Sequence, residues 1–202
     1  MGCLRCPPLL HRPASVPTIL QSAAAHKWSD APRFAPTPSA SPPPLRQDLG
    51  RRLLPAFNTP TGLPVAWINL ARGVEAGEGR TTCTAAAGTL LLEMTLLSRL
   101  SGDPAFEAAA AAAATALHLR RSLLGLPGTM ISVDDGTWQS PRSSSVGAGV
   151  DSYHEYLLKE YLLTGNETWL DLFLTSYHAV MTYCSEAGSP VGGLLLEVRD
   201  DG

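Results

Sequence analysis

Two acids stand where chemistry could be done. Asp151 follows the small, flexible run Gly147-Ala148-Gly149 and opens a strongly helical pattern. Val150, Tyr153, Leu157 and Tyr161 fall at i, i+3, i+7 and i+11, and Leu158 and Leu162 widen that stripe. Asp151 therefore sits at or near a helix N-terminus, beside a loop with little side-chain bulk. A carboxylate there has two readings. It is a cap that accepts from backbone amides, or it is a catalytic carboxylate presented at the mouth of a cleft. Ser152 can cap instead, and with Glu155 it has the capping-box spacing. Glu93 is the lone acid in an apolar helical run. Ionised groups are rarely buried alone, so by pattern it is solvent-facing or paired.

The remaining reactive side chains set up less. Cys3 and Cys6 make a Cys-x-x-Cys in a proline-rich segment with no second pair, which offers neither a zinc site nor a disulfide framework. Cys83 opens an apolar helix and reads as a packed thiol. Asn166-Glu167-Thr168 is a glycosylation sequon at a helix start, where Asn is also a favoured cap, and the cap reading is preferred. No residue is assigned as a metal ligand.

The elements that must position these acids are helices. With 202 residues and 45% hydrophobic content the chain can bury a globular core. A net charge of −3 and a pI near 5.9 argue against nucleic-acid binding or a membrane-surface role resting on bulk electrostatics. Residues 1–45 are rich in Pro, Ala and Ser and are expected to lack order, as a segment separate from 46–202. Their acid-poor, basic start is transit-peptide-like in composition, but an unstructured tail is the simpler reading, and no clear signal peptide is seen. A short helix is expected from Asp48 to Phe57, ended by Pro55. A long loop follows through 58–81, punctuated by Pro60, Gly62, Pro64, Gly73, Gly77 and Gly79. Thr84 to Leu100 reads as one buried helix. Phe106 to Arg121 reads as an Ala-rich helix too short and too basic at its end to span a bilayer, which leaves membrane association open. Gly128 to Trp138 carries a hairpin signal around Asp134-Asp135-Gly136, and Gly192 to Val198 reads as a strand. Leu100-Ser101-Gly102-Asp103-Pro104-Ala105-Phe106 matches Leu163-Thr164-Gly165-Asn166-Glu167-Thr168-Trp169 at an offset of 63 positions. Helical hairpins that recur in this way stack side by side, which predicts an α/α toroid, with a TPR-like solenoid as the architecture of similar pattern.

Four blocks in order carry a resemblance. Gly149-Val150-Asp151-Ser152-Tyr153-His154-Glu155-Tyr156-Leu157-Leu158-Lys159 resembles a segment of the class I α-mannosidases, glycoside hydrolase family 47. So do Leu54 to Pro64, Thr82 to Glu93, and Leu97 to Pro104. The flavour is closest to the ER degradation-enhancing α-mannosidase-like branch. The resemblance covers about residues 46–202. It implies an all-α fold, a partial (α/α) barrel of paired antiparallel helices with small β-hairpins, of which this chain is expected to be a central slice.

By the same resemblance Asp151 is a catalytic acid on the water-activating side, and Glu93 lies in the sugar-binding cavity. Calcium is the implied cofactor, its protein ligand not matched in this chain. High-mannose N-glycans on glycoproteins are the implied substrates, and the endoplasmic reticulum or secretory pathway the implied compartment. His154 stands where the family usually has an aromatic. The general acid has no counterpart here, so the isolated chain is expected to be inactive. Three readings follow: an inverting α-1,2-mannosidase, a non-hydrolytic mannose-binding quality-control factor, or a helical scaffold without sugar chemistry.

Overall fold

The computed structural model describes residues 44–77, 79–139, 142–186, 194–195 and 197–200. The expectation for the N-terminal segment falls mostly outside them, since residues 1–43 are not among the described ones. Helix α1, Pro44–Leu53, starts with Pro at its first position, where the missing amide costs nothing. It begins earlier than Asp48. At Pro55 it tightens into a 3-10 turn, Leu54–Phe57, so the proline ends the α-helix as expected. The following loop is pinned by its threonines. Thr59 Oγ1 donates to Leu63 O at 2.7 Å, and Thr61 Oγ1 donates to Val133 O at 2.7 Å. Leu63 is thereby sealed in the core.

Strand β1, Thr81–Cys83, leads directly into helix α2, Thr84–Gly88, and then α3, Leu91–Ser101. The single helix expected over 84–100 is therefore two. Gly88 sits where a Cβ would meet Tyr153 Cδ2 at 2.4 Å and Leu117 Cδ1 at 3.2 Å. The chain leaves helical geometry at Thr89, whose hydroxyl donates to Ala85 O at 2.8 Å. Cys83 is more than a packed thiol. It caps α2, with its Sγ accepting from Ala86 N at 3.3 Å.

Helix α4, Ala105–Leu119, packs antiparallel to α3 across the turn at Gly102. Strand β2, Met130–Ser132, turns at Asp134-Asp135-Gly136 and returns through an Ile131–Trp138 bridge, the expected hairpin. Its other edge pairs antiparallel with β1, in the register Thr82 with Ile131. Strand β3, Arg142–Ser144, precedes helix α5, Asp151–Thr164, and helix α6, Glu167–Tyr183. Strand β4, Ser185–Glu186, pairs with β5, Leu194–Leu195, and β3 pairs with β6, Val198–Asp200. The single strand expected over 192–198 is thus two short ones with different partners; residues 192, 193 and 196 lie outside the described ones.

The repeat is visible in detail. Gly102 and Gly165, 63 positions apart, both end their helices in the left-handed region, at φ 75° and 71°. Asp103 Oδ1 accepts from Ala105 N, and Asn166 Oδ1 accepts from Thr168 N, each at 3.1 Å. Asn166 is therefore a cap. Phe106 and Trp169, again 63 apart, are both buried. Pairs α3/α4 and α5/α6 are successive helical hairpins, and the alanines of α4 let its neighbours close onto Phe106, Leu117, Tyr153 and Leu157. A second cluster gathers Leu126, Ala179, Val180 and Cys184.

Candidate active site

The start of α5 is built by backbone. Val150 N and Asp151 N both donate to Gly147 O, at 3.1 and 2.9 Å, and Ala85 N donates to Gly149 O at 2.8 Å. Gly149 is required twice over. Its φ is 87°, and a Cβ there would meet Thr129 Cγ2 at 2.6 Å. The glycine run thus lets three segments, at 85, 129 and 149, meet beside the first turn of α5.

Val150 occupies the cap position with no side-chain capping bond, and Asp151 is the first helical residue. The capping box does not form. Ser152 Oγ donates to Asp151 Oδ1 at 3.1 Å, and Glu155 pairs with Lys159. Asp151 is exposed, and its Oδ1 also accepts from Ser152 N at 2.6 Å. Its Oδ2 has no partner among the described residues. One oxygen is fixed while the other faces solvent, at the helix end where the dipole favours negative charge. That is the arrangement of a carboxylate held by one oxygen with the other free to offer.

Glu93 lies in the first turn of α3 and is both exposed and paired. Its Oε1 accepts from Tyr156 Oη at 2.9 Å. Burial, and next the bond to Glu93, push the Tyr156 phenol above its ordinary value, so it stays a donor. Glu93 and Tyr156 are separated by 63 positions, the repeat offset. They occupy equivalent places on α3 and α5, which therefore lie side by side in the same register. Asp151 is five residues before Tyr156 on α5, about 7.5 Å along the helix axis. Both sequence-nominated acids thus sit on adjacent helices near the same ends.

Two further ionisable groups on α5 face inward. Glu160 is fully buried, its Oε1 accepting from Thr95 Oγ1 of α3 at 2.9 Å. Its Oε2 has no partner among the described residues. Burial pushes its carboxyl up to about 7, against the lowering effect of the Thr95 bond. His154 packs edge-on to Tyr153, with 5.4 Å between ring centroids, and neither ring nitrogen has a partner among the described residues. Burial pushes it down to about 4, so it is neutral and adds no positive charge one turn from Asp151. Neither Tyr156 nor Glu160 stands out in the bare pattern. Glu160 carried a signal, an acid on the apolar stripe Tyr153, Leu157, Glu160. Tyr156 becomes visible only once the repeat offset is applied to Glu93.

A calcium ion takes six to eight oxygen ligands. Among the described residues no group of three or more His, Cys, Asp or Glu side chains could hold a metal ion. The described residues do not fit calcium as a site of their own.

The sequence model of glycosyl hydrolase family 47 matches residues 45–199. The chain belongs to glycosyl hydrolase family 47. It is similar to alpha-mannosidase I MNS5 of Arabidopsis thaliana, 53% identical over 139 residues, 69% of this chain and 24% of that protein. It is 46% identical over 148 residues to human ER degradation-enhancing alpha-mannosidase-like protein 3, across 70% of this chain and 16% of that one. Among solved structures it resembles an alpha-1,2-mannosidase from Trichoderma reesei, with a TM-score of 0.67 and 27% identity over 77% of this chain and 34% of that chain. The chain spans about a quarter of the length of its plant relative. The paired antiparallel helices of this family 47 chain are accordingly a segment of an (α/α) barrel, the fold expected from the sequence. Among the described residues no helix is long and apolar enough to cross a membrane.

Proposed function

We propose that this family 47 chain is part of an α-1,2-mannosidase that trims high-mannose N-glycans on glycoproteins in the endoplasmic reticulum or secretory pathway, in the disposal of misfolded glycoproteins. The observation that supports it most is the half-held carboxylate of Asp151. Inverting glycoside hydrolysis needs two carboxyls roughly 6.5–9.5 Å apart, one to protonate the leaving oxygen and one to activate water on the opposite face. Asp151 suits the second role. The Ser152 amide and hydroxyl fix Oδ1 in place. The open Oδ2 takes the proton of a water as that water's oxygen attacks the anomeric carbon. Glu93, oriented by Tyr156, has its second oxygen free to accept from sugar hydroxyls. No described acid is assigned as proton donor to the leaving oxygen.

The test uses a version of the chain extended at both ends to a full family 47 barrel. Asp151→Asn in that protein should lower turnover of α-1,2-mannobiose about 10²–10⁴-fold. The melting temperature should barely move, because Asn keeps the size and an acceptor for Ser152. Near-full turnover in the Asn variant would remove Asp151 from the chemistry. A wild-type extended protein that binds mannosides but never turns them over would replace hydrolysis by recognition.

A further inference from the structure

The loop 58–80 carries a feature that the catalytic reading does not use. Trp67 is 76% exposed, although it sits on a backbone held at many points. Ala66 N donates to Gly79 O at 3.1 Å, Asn69 and Gly73 exchange backbone bonds of 3.0 and 2.7 Å, and Arg52 Nη1 of α1 donates to Leu70 O at 3.0 Å. Asn69 Oδ1 accepts from Ala71 N and Arg72 N at 2.9 and 3.1 Å, which leaves its Nδ2 free to donate. Arg72 Nη2 and Glu75 Oε1 pair at 2.7 Å. Trp67, Ile68, Asn69, Arg72 and Glu75 line one shallow cavity of about 340 Å³.

An indole on an ordered loop offers a flat apolar face and one N–H donor. Its neighbours decide what it binds. An apolar side chain of a polypeptide would strip water from the Arg72–Glu75 pair, which costs more than the pair returns. A pyranose would not. One of its faces presents C–H groups that stack on an indole. Its hydroxyls both donate and accept, so they replace water at Glu75, Arg72 and Asn69 Nδ2.

The loop is also tied to the catalytic end. Gly79, bonded to Ala66, runs into β1, and Arg80 O accepts from Val133 N at 2.9 Å. Strand β1 ends at Cys83, beside the Ala85–Gly149 contact that seats Asp151. Strand β1 itself covers Thr81–Cys83, two steps of extended chain or about 7 Å, the length of about one sugar unit.

We propose that Trp67, with Asn69, Arg72 and Glu75, forms an auxiliary pyranose-binding platform that holds a remote mannose of a branched glycan, one of whose non-reducing terminal mannoses lies at Asp151. The proposal rests on the mannosidase reading. It is tested on the version of the chain extended to a full family 47 barrel, with methyl α-mannopyranoside and a branched high-mannose oligosaccharide as probes. Both should change tryptophan emission and protect it from iodide quenching. By calorimetry Trp67→Ala should weaken oligosaccharide binding about tenfold, and Trp67→Phe should restore most of it, since the ring face is kept. Glu75→Gln, which spares the ring, should weaken binding to a smaller extent. Circular dichroism should be unchanged in all three, because Trp67 is exposed. Wild-type affinity in Trp67→Ala, or no mannoside binding by the unsubstituted chain, would overturn the platform. The two readings fail separately. Asp151-dependent hydrolysis with Trp67-independent binding sinks only the platform, and Trp67-dependent binding with Asp151-independent turnover sinks only the catalytic assignment.

Discussion

Glu160 shows what a single side chain can impose on this fold. It is an acid sealed between α3 and α5, with one oxygen satisfied by Thr95 and the other by nothing described. Glu107 and Glu93 add to the upward push of burial on its carboxyl, and Arg99 and Thr95 oppose it. Folding raises its pKa from the ordinary 4.5 to about 7. The fold therefore favours the neutral acid. Its contribution to stability is full below about 4.5 and is lost as pH rises through about 7. In Glu160→Gln the Thr95 bond survives and the titration is removed. The melting temperature of the natural chain relative to that variant should fall across this window and stay flat on either side, measured by circular dichroism melts at stepped pH. A pH-independent difference would mean that Glu160 does not titrate there. Asp151 lies at the other extreme of exposure. Its exposure and open oxygen were foreshadowed by the glycines before it, because a bulk-free loop beside a helix start is a sequence property. That Asp151 is not itself the cap was not, since it depends on Val150 taking the cap position.

Elements were legible where their signals are local. Helix stops at Gly102 and Gly165, the cap at Asn166 and the Asp134–Gly136 turn all follow from residues within a few positions of the event. The break between α2 and α3 does not, because it depends on Tyr153 pressing on Gly88 from 65 positions away. The β1–β2 and β3–β6 pairings were hidden for the same reason: three-residue strands have too little pattern to announce partners about fifty residues off. A tight contact of this kind is measurable. Gly88→Ala should destabilise the chain by about 1–3 kcal/mol, because the new methyl must displace the Tyr153 ring or the Leu117 methyl in a packed core. Since that ring belongs to α5, the same change should disturb the seating of Asp151. Turnover in the extended protein should fall with stability, unlike in Asp151→Asn, where turnover alone should fall. A neutral Gly88→Ala in urea melts would show that the α2–α5 contact is soft.

At the scale of the whole molecule, a barrel segment has helix faces that its ring neighbours would cover. Leu45 at the start of α1 and Leu119 at the end of α4 are 76% and 77% exposed, and Met181 and Tyr183 near the end of α6 are also exposed. The matched Trichoderma reesei structure is covered over 34% of its length. A full family 47 barrel would supply further helices to cover these faces. Each exposed leucine side chain forgoes about 1.5–3 kcal/mol of burial. The 202-residue chain should therefore bind the dye ANS and show broad melting, while the version extended to a full barrel should bind little dye and melt cooperatively. The chemistry should follow the packing. The isolated chain should not measurably hydrolyse α-1,2-mannobiose, with or without added calcium, because Asp151 and Glu93 have no assigned proton donor and the leaving oxygen would depart unprotonated. General acid catalysis alone contributes about 10²–10⁴-fold. Dye binding and lack of turnover should disappear together on extension. If the short chain melted sharply, bound no dye and cleaved mannobiose, the segment would be self-sufficient, and one of its own acids would be the proton donor.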